Sequence, residues 1–254
     1  MWVLKTMAAL MALVVLLLAG PAAVWFTGGA GSGDWSTASC EPAGLAPSPA
    51  EHPGAIVQLY AARAFSWRGA FAVHSWIAFK PRQAADWTAF EVQGWRMPTV
   101  RRRSGVPDRA WFGQTPQVIA QLEGERAAQA IPAIKRAARD YPYPQTYRAW
   151  PGPNSNTFTA WVVRRVPQLD VALPALAVGK DYLIDDSHPL GRFFAPAPSA
   201  SGYQLSLYGV LGVLAARDEG LEFNLLGLVF GVDPLDLAIK LPGIGRLTVP
   251  PSIH

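Results

Sequence analysis

The chain has a single cysteine, Cys40, so no intrachain disulfide can form and no cysteine cluster can hold a metal. It has only four histidines and no zinc spacing, no phosphate-binding glycine loop and no dinucleotide fingerprint. No metal and no cofactor is therefore expected. Charge is sparse as well: 16% of the residues carry it, and the net value of +4 comes from Arg and Lys scattered along the sequence. That distribution gives no nucleic-acid surface, and the one basic run, at 101–103, reads as a solvated loop. What is abundant is apolar. Half of the 254 residues are hydrophobic and ten are Trp, enough for one medium folded domain with appendages.

Residues 6–26, TMAALMALVVLLLAGPAAVWF, are uncharged and long enough to cross a hydrocarbon core of about 30 Å as a helix. Lys5 precedes the run while Asp34 and Glu41 follow it, which places the short N-terminus in the cytoplasm and the rest in the periplasm or outside. A cleaved signal peptide is the rival, because Ala19, Gly20, Ala22 and Ala23 are small. Continuation through Trp25 and Phe26 favours a retained inner-membrane anchor over residues 1–26. Residues 27–54 have the Gly, Ser, Ala and Pro composition of a flexible linker, and His52 falls in it as a solvated residue.

The folded part is expected from about Ala55. AIVQLYAAR (55–63), AFAVHSWIAFK (70–80) and WTAFEVQGW (87–95) read as consecutive antiparallel strands. From 115 to 138 apolar residues recur at helical spacing, interrupted near Gly124 and Pro132, which predicts two short helices or one kinked one. A further helix is expected over about 155–165, ending before Pro167. The fold class is therefore α+β, an antiparallel sheet with packed helices over 55–185, followed by a β-rich extension over 186–254. In that extension 203–216 and 220–232 read as the two arms of one β-hairpin; apolar on both faces, it either packs on the domain or presses against a membrane surface.

Strand alternation puts Ala72, His74 and Trp76 on one face of the second strand, and Glu91, Gln93 and Trp95 on one face of the third. Pairing of the two strands would set an imidazole beside a carboxylate or amide, the arrangement of a general base and its orienting group. Ser155, in PGPNSNTF (151–158), could be the nucleophile, because a helix start offers free amides and the positive end of the dipole to an anion. An ordinary helix cap explains the same Ser and Asn residues. The remaining polar residues read as structural. DDSHP (185–189) is an Asx-type turn, Lys180 and Asp181 are a surface turn pair, Tyr141, Tyr143, Tyr147 and Trp150 either line a groove or, as aromatic residues interleaved with proline usually do, pack a loop, and His254 is terminal.

HSWIAFK, PNSNTF, the intervening YPYP and the later PALAVGKDY together resemble a bacterial family catalogued as domain-of-unknown-function family 3750, over roughly 55–185 and continuing through EGLEFNLLGLVFGVDP. More distantly, the order of histidine strand, polar residue and helix-start nucleophile resembles the circularly permuted papain-like group, which includes NlpC-type peptidases. That likeness implies His74 as base, Glu91 as orienter and Ser155 as nucleophile, with Trp76, Gln93, Asn154 and Asn156 binding substrate. Serine stands where those enzymes carry cysteine, and a hydroxyl needs concerted proton removal where a thiol does not. The implied activity is hydrolysis or transfer of an acyl or peptide bond in cell-envelope material. The alternative is a noncatalytic envelope-binding or assembly protein that uses the same groove.

Overall fold

Strand β1 (Ile56–Arg63) is almost wholly buried because it lies inside a sheet that is covered on both faces. The computed structural model describes residues 1–31, 34–184, 188 and 190–248. A long apolar helix α1 (Trp2–Phe26) leads into two antiparallel sheets. In the first sheet β1 is flanked by β2 (Val73–Lys80) and β5 (Gln117–Glu123), with β3 (Thr88–Val92) and β4 (Val100–Ser104) completing the order β4-β3-β2-β1-β5. The three expected strands are present. Residues 101–103 are not a loop but most of edge strand β4; their alternation with Glu91 and Ala89 opposite lets the arginines lie along a sheet rim.

One face of this sheet, with Val57, Leu59, Ile77 and Phe79, packs on α2 (Gly124–Arg139) and α3 (Ser155–Arg165). The expected helical run at 115–138 is corrected in its first half: Val118, Ile119 and Leu122 belong to β5, and the helix begins at Gly124. Pairing with β1 overrides the apparent helical spacing there. Helix α2 then continues through Pro132, which sits on the exposed face while Ala127, Ala130, Ile131, Ile134 and Ala138 form the buried stripe. The other face of the sheet, with Ile56, Tyr60, Trp76 and Ala78, is covered by Trp87, Trp111 and the chain near Ala46. Backbone amides of Leu45 and Ala46 donate to Asp108, so this part of the linker is docked on the sheet. His52 is half-buried.

The C-terminal part is not one hairpin. It is a seven-stranded meander: β6 (Phe194–Pro196), β7 (Gly202–Leu207), β8 (Leu211–Ala216), β9 (Gly220–Leu225), β10 (Leu228–Asp233), β11 (Ala238–Leu241) and β12 (Gly245–Thr248). Each predicted arm folds back on itself, because Tyr208–Gly209 and Leu226–Gly227 adopt positive φ at its centre. The sheet turns polar residues inward. Gln204, Ser206, Glu222, Asn224 and Lys240 are buried against the rest of the domain.

Lys180 and Asp181, expected at the surface, are buried at the middle of this contact. Lys180 Nζ lies 2.6 Å from Glu222, which is also 2.6 Å from Lys240 Nζ. Glu222 and Lys240 stand on either side of Gly231, whose missing side chain opens the path between them. Asp181 accepts from Asn224 at 2.7 Å and from Gln204. Burial works against the charge on Lys180, but the adjacent Asp181 and Glu222 outweigh it and hold the ammonium above its ordinary value. Burial likewise opposes the Glu222 charge, and the two lysines overcome it and hold the carboxyl low.

Lys180→Ala should therefore cost about 3–5 kcal/mol, since it removes a buried ammonium shared by Asp181 and Glu222, of which only Glu222 keeps a lysine beside it. Denaturant unfolding of the detergent-solubilised chain measures this. A loss below about 1 kcal/mol, the range of exposed pairs, would mean that the network is solvated.

Candidate functional site

The start of α3 is held by three side chains of one short motif. Asn154 caps it, its Oδ1 accepting from the amides of Asn156 at 2.9 Å and Thr157 at 3.1 Å, while Thr157 Oγ1 accepts from the Asn154 amide. Asn154 Nδ2 donates to the carbonyls of Ala149 and Val178, both at 3.0 Å. Asn156 Nδ2 donates to Val178 and to Val73, both at 2.8 Å. Two strands of connection are thus tied to the helix start. Gly179 is required here: its φ is +102°, and a Cβ would sit 2.4 Å from the Asn154 amide group.

Ser155, between the two asparagines, is buried and lines a cavity of about 1080 Å³. His74 lines the same cavity. Its walls are largely aromatic, with Phe65, Trp67, Trp95, Trp111 and Phe112 among them. The His74 ring lies flat on Trp111, with centroids 3.5 Å apart and planes within 4°. Its Nε2 is buried and has no hydrogen-bond partner. Burial pushes the imidazole down to about 3, so at neutral pH the ring is uncharged.

The other expected site residues lie elsewhere. Glu91 accepts from Gln93 Nε2 at 2.8 Å and sits 3.9 Å from Arg103, and neither Glu91 nor Gln93 lines the cavity. The β2–β3 ladder covers only Ile77–Phe79 against Thr88–Phe90, so the two strands are unpaired at His74. Burial raises the Glu91 carboxyl and Arg103 partly offsets it. Trp76 stacks on Tyr60 at 5.3 Å and donates to the Pro107 carbonyl, in the core behind the cavity. Tyr147 and Trp150 line the cavity, whereas Tyr141 is packed in the core against Phe158 and Trp161.

Ser75 was not singled out by sequence reasoning, yet it is the β2 residue that faces α3. Its hydroxyl donates to Asn156 Oδ1 at 2.7 Å and lies 2.9 Å from Thr159 Oγ1. The signal was available, because period-two alternation places Ser75 opposite to His74. Trp111, by contrast, carries no such signal, since only folding brings residue 111 onto β2. Among the described residues no group of His, Cys, Asp and Glu could hold a metal. Residues 185–187 and 189 of the expected Asx turn, and His254, lie outside the described residues.

The asparagines around the cavity serve α3 and the 178–179 backbone, which accounts for the specificity of PNSNTF. The family of proteins of unknown function DUF3750 matches residues 54–182, a span that contains this motif and the whole first sheet. The chain belongs to DUF3750. No curated protein and no solved structure matches it. The DUF3750 span ends at Tyr182, immediately after the Lys180 and Asp181 pair that receives the second sheet.

Two outcomes follow from the geometry. Asn156→Ala removes the amide that donates to Val73, one of the two side-chain donors to Val178 and the acceptor of Ser75, so a loss of about 2–4 kcal/mol is expected in denaturant unfolding; a loss under 1 kcal/mol would mean that water replaces the amide. The His74 imidazole is neutral in the native state, while an unfolded histidine takes up a proton below about 6.5. The unfolded chain then binds more protons in that window, so stability should fall by up to about 1.4 kcal/mol per unit as pH drops from about 6.5 toward 3. His74→Gln should flatten that part of the pH profile, and identical slopes in both chains would remove His74 as its cause.

Proposed function

We propose that the protein is an exported envelope protein, anchored by α1 in the inner membrane, whose aromatic cavity takes an amphiphilic ligand by its apolar part. The observation that carries this is the cavity itself: about 1080 Å³, walled by Trp and Phe, with only a few polar groups, Ser155 and His74 among them, to orient a ligand. Apolar walls favour an acyl chain or ring system over a sugar or a free ion. Helix α1 is long and apolar enough to cross a membrane, with mean hydropathy 2.5 and little of it buried. Its end leads to the cavity: Ala30 lies against Gly69 in the 3-10 helix Ser66–Ala70, next to the lining residues Trp67 and Arg68.

A second reading is hydrolysis or acyl transfer of the permuted papain-like kind, favoured by Ser155 and His74 sharing one cavity. Ser155 Oγ would attack an acyl carbonyl and His74 would take its proton. Two features weigh against it. The low basicity of His74 makes it a poor acceptor, and among the described residues no carboxylate bonds to it, Glu91 being held by Gln93 instead. The Asn154 cap also occupies the amides of Asn156 and Thr157, which an oxyanion would need.

The binding reading is tested by photolabelling the full chain in lipid nanodiscs with a diazirine-bearing fatty acid. Crosslinked peptides should map to 65–74, 94–96, 111–112 and 147–156; crosslinks confined to α1 would overturn it. The catalytic reading is tested in the same sample with an alkyl fluorophosphonate. Labelling that disappears in Ser155→Ala would establish a reactive serine, whereas labelling retained in that variant would place the chemistry on another residue.

A further inference from the structure

The second sheet is built inside out. Two rows of paired outward residues cross it: Phe194, Leu205, Val213, Phe223 and Phe230 in one, and Tyr203, Ala215, Leu221, Val232, Ile239 and Leu247 in the other. Leu207, Leu211, Leu225 and Leu228 extend the same face toward the 208–210 and 226–227 turns. All of these side chains are exposed or partly exposed, and none is charged. The strands' charged residues, Glu222, Asp233, Lys240 and Arg246, stand at the alternate positions. An antiparallel sheet in water normally shows the opposite pattern. A contiguous apolar face of this extent marks contact with another apolar phase.

The occupant is indicated by α1. The Pro242–Ile244 turn between β11 and β12 is packed on Gly20 and Pro21, two of the three buried residues of that helix. A Cβ on Gly20 would lie 2.0 Å from the Pro242 carbonyl oxygen, and one on Gly243 2.4 Å from the Pro21 nitrogen. Arg63 donates to the Gly243 carbonyl at 2.6 Å, which fixes the turn to the first sheet as well. At 1.5 Å rise per residue, Gly20 lies roughly 9 Å along the helix from Phe26, on the cytoplasmic side of the apolar end. One turn of the second sheet is therefore set at acyl-chain depth.

We propose that the outward face of the second sheet is seated in the outer leaflet of the bilayer that α1 crosses, making the C-terminal sheet a monotopic lipid-binding surface. This rests on the reading of α1 as a membrane anchor. Strands β7 to β11 are paired on both sides, and only β6 and β12 each leave one open edge, so contact through the side chains of the face desolvates few peptide groups. The lipid contact would also keep the 226–228 wall of the cavity at the membrane surface, where an amphiphile can enter.

The test uses the full chain in liposomes, with Cys40→Ser and single cysteines introduced by Leu205→Cys, Val213→Cys or Ile239→Cys, each carrying a bimane label. Leu16→Cys reports on α1, and Arg139→Cys on α2 serves as the water-exposed control. Lipids with doxyl-labelled acyl chains should quench the three sheet labels and the Leu16 label, while aqueous iodide should quench only the Arg139 label. Sheet labels quenched by iodide would overturn the proposal, and sheet labels shielded from both quenchers would overturn it in favour of a second copy on this face. A Leu16 label untouched by doxyl lipid would instead refute the anchor reading. Val232→Cys or Phe223→Cys replaces any variant whose thermal unfolding departs from that of the parent.

Discussion

The four residues 178–181 are the joint on which the two halves of the molecule depend. The Val178 carbonyl accepts from both Asn154 and Asn156, and the Gly179 carbonyl accepts from Thr157 at 2.8 Å, so the backbone of this stretch holds the start of α3. The next two side chains, Lys180 and Asp181, hold the second sheet through Glu222, Asn224 and Gln204. The same stretch also closes the cavity, which Val178 lines beside Asn154 and Ser155. Buried polar contacts of this kind give direction and register that apolar packing alone lacks, because each unpaired partner would cost about 1–3 kcal/mol.

That joint explains why the second sheet inverts the usual pattern. Its inner face meets Lys180 and Asp181, so it must supply compensating acids, amides and a lysine. Leu214, Val229 and Ala238 are buried on the inner face beside these polar groups, while most of the larger apolar side chains of the strands are turned outward. The arrangement suits a domain held near a bilayer and would be unfavourable in open water. Leu226 to Leu228 of the second sheet line the aromatic cavity, and the Pro242–Ile244 turn of the same sheet packs on α1.

His74 shows how function and packing compete for one residue. A histidine on a strand reads as a candidate base, but stacked on Trp111 and without a partner for its buried Nε2 it behaves as a neutral aromatic. Glu91 is drawn to the β4 arginines, since β3 pairs with β4 along its whole length while β2 leaves β3 before His74. Ser155 keeps its position at the helix start because its neighbours do the capping.

Local signals in the sequence determined the apolar helix, strands β1 to β3, the helix Ser155–Arg165 and its asparagine cap, together with membership in DUF3750. In each case the information sits within a few residues: a hydropathy run, a two-residue period, a cap before a helical stretch. Helical spacing at 118–122 misled, since pairing with β1 decides that segment. Only the tertiary structure decided that Lys180 is buried, that Trp111 covers His74 and that the C-terminal strands expose their apolar side. Those outcomes depend on partners far away in the chain, such as Glu222 for Lys180 or Trp111 for His74, and no periodicity in a single segment carries that information.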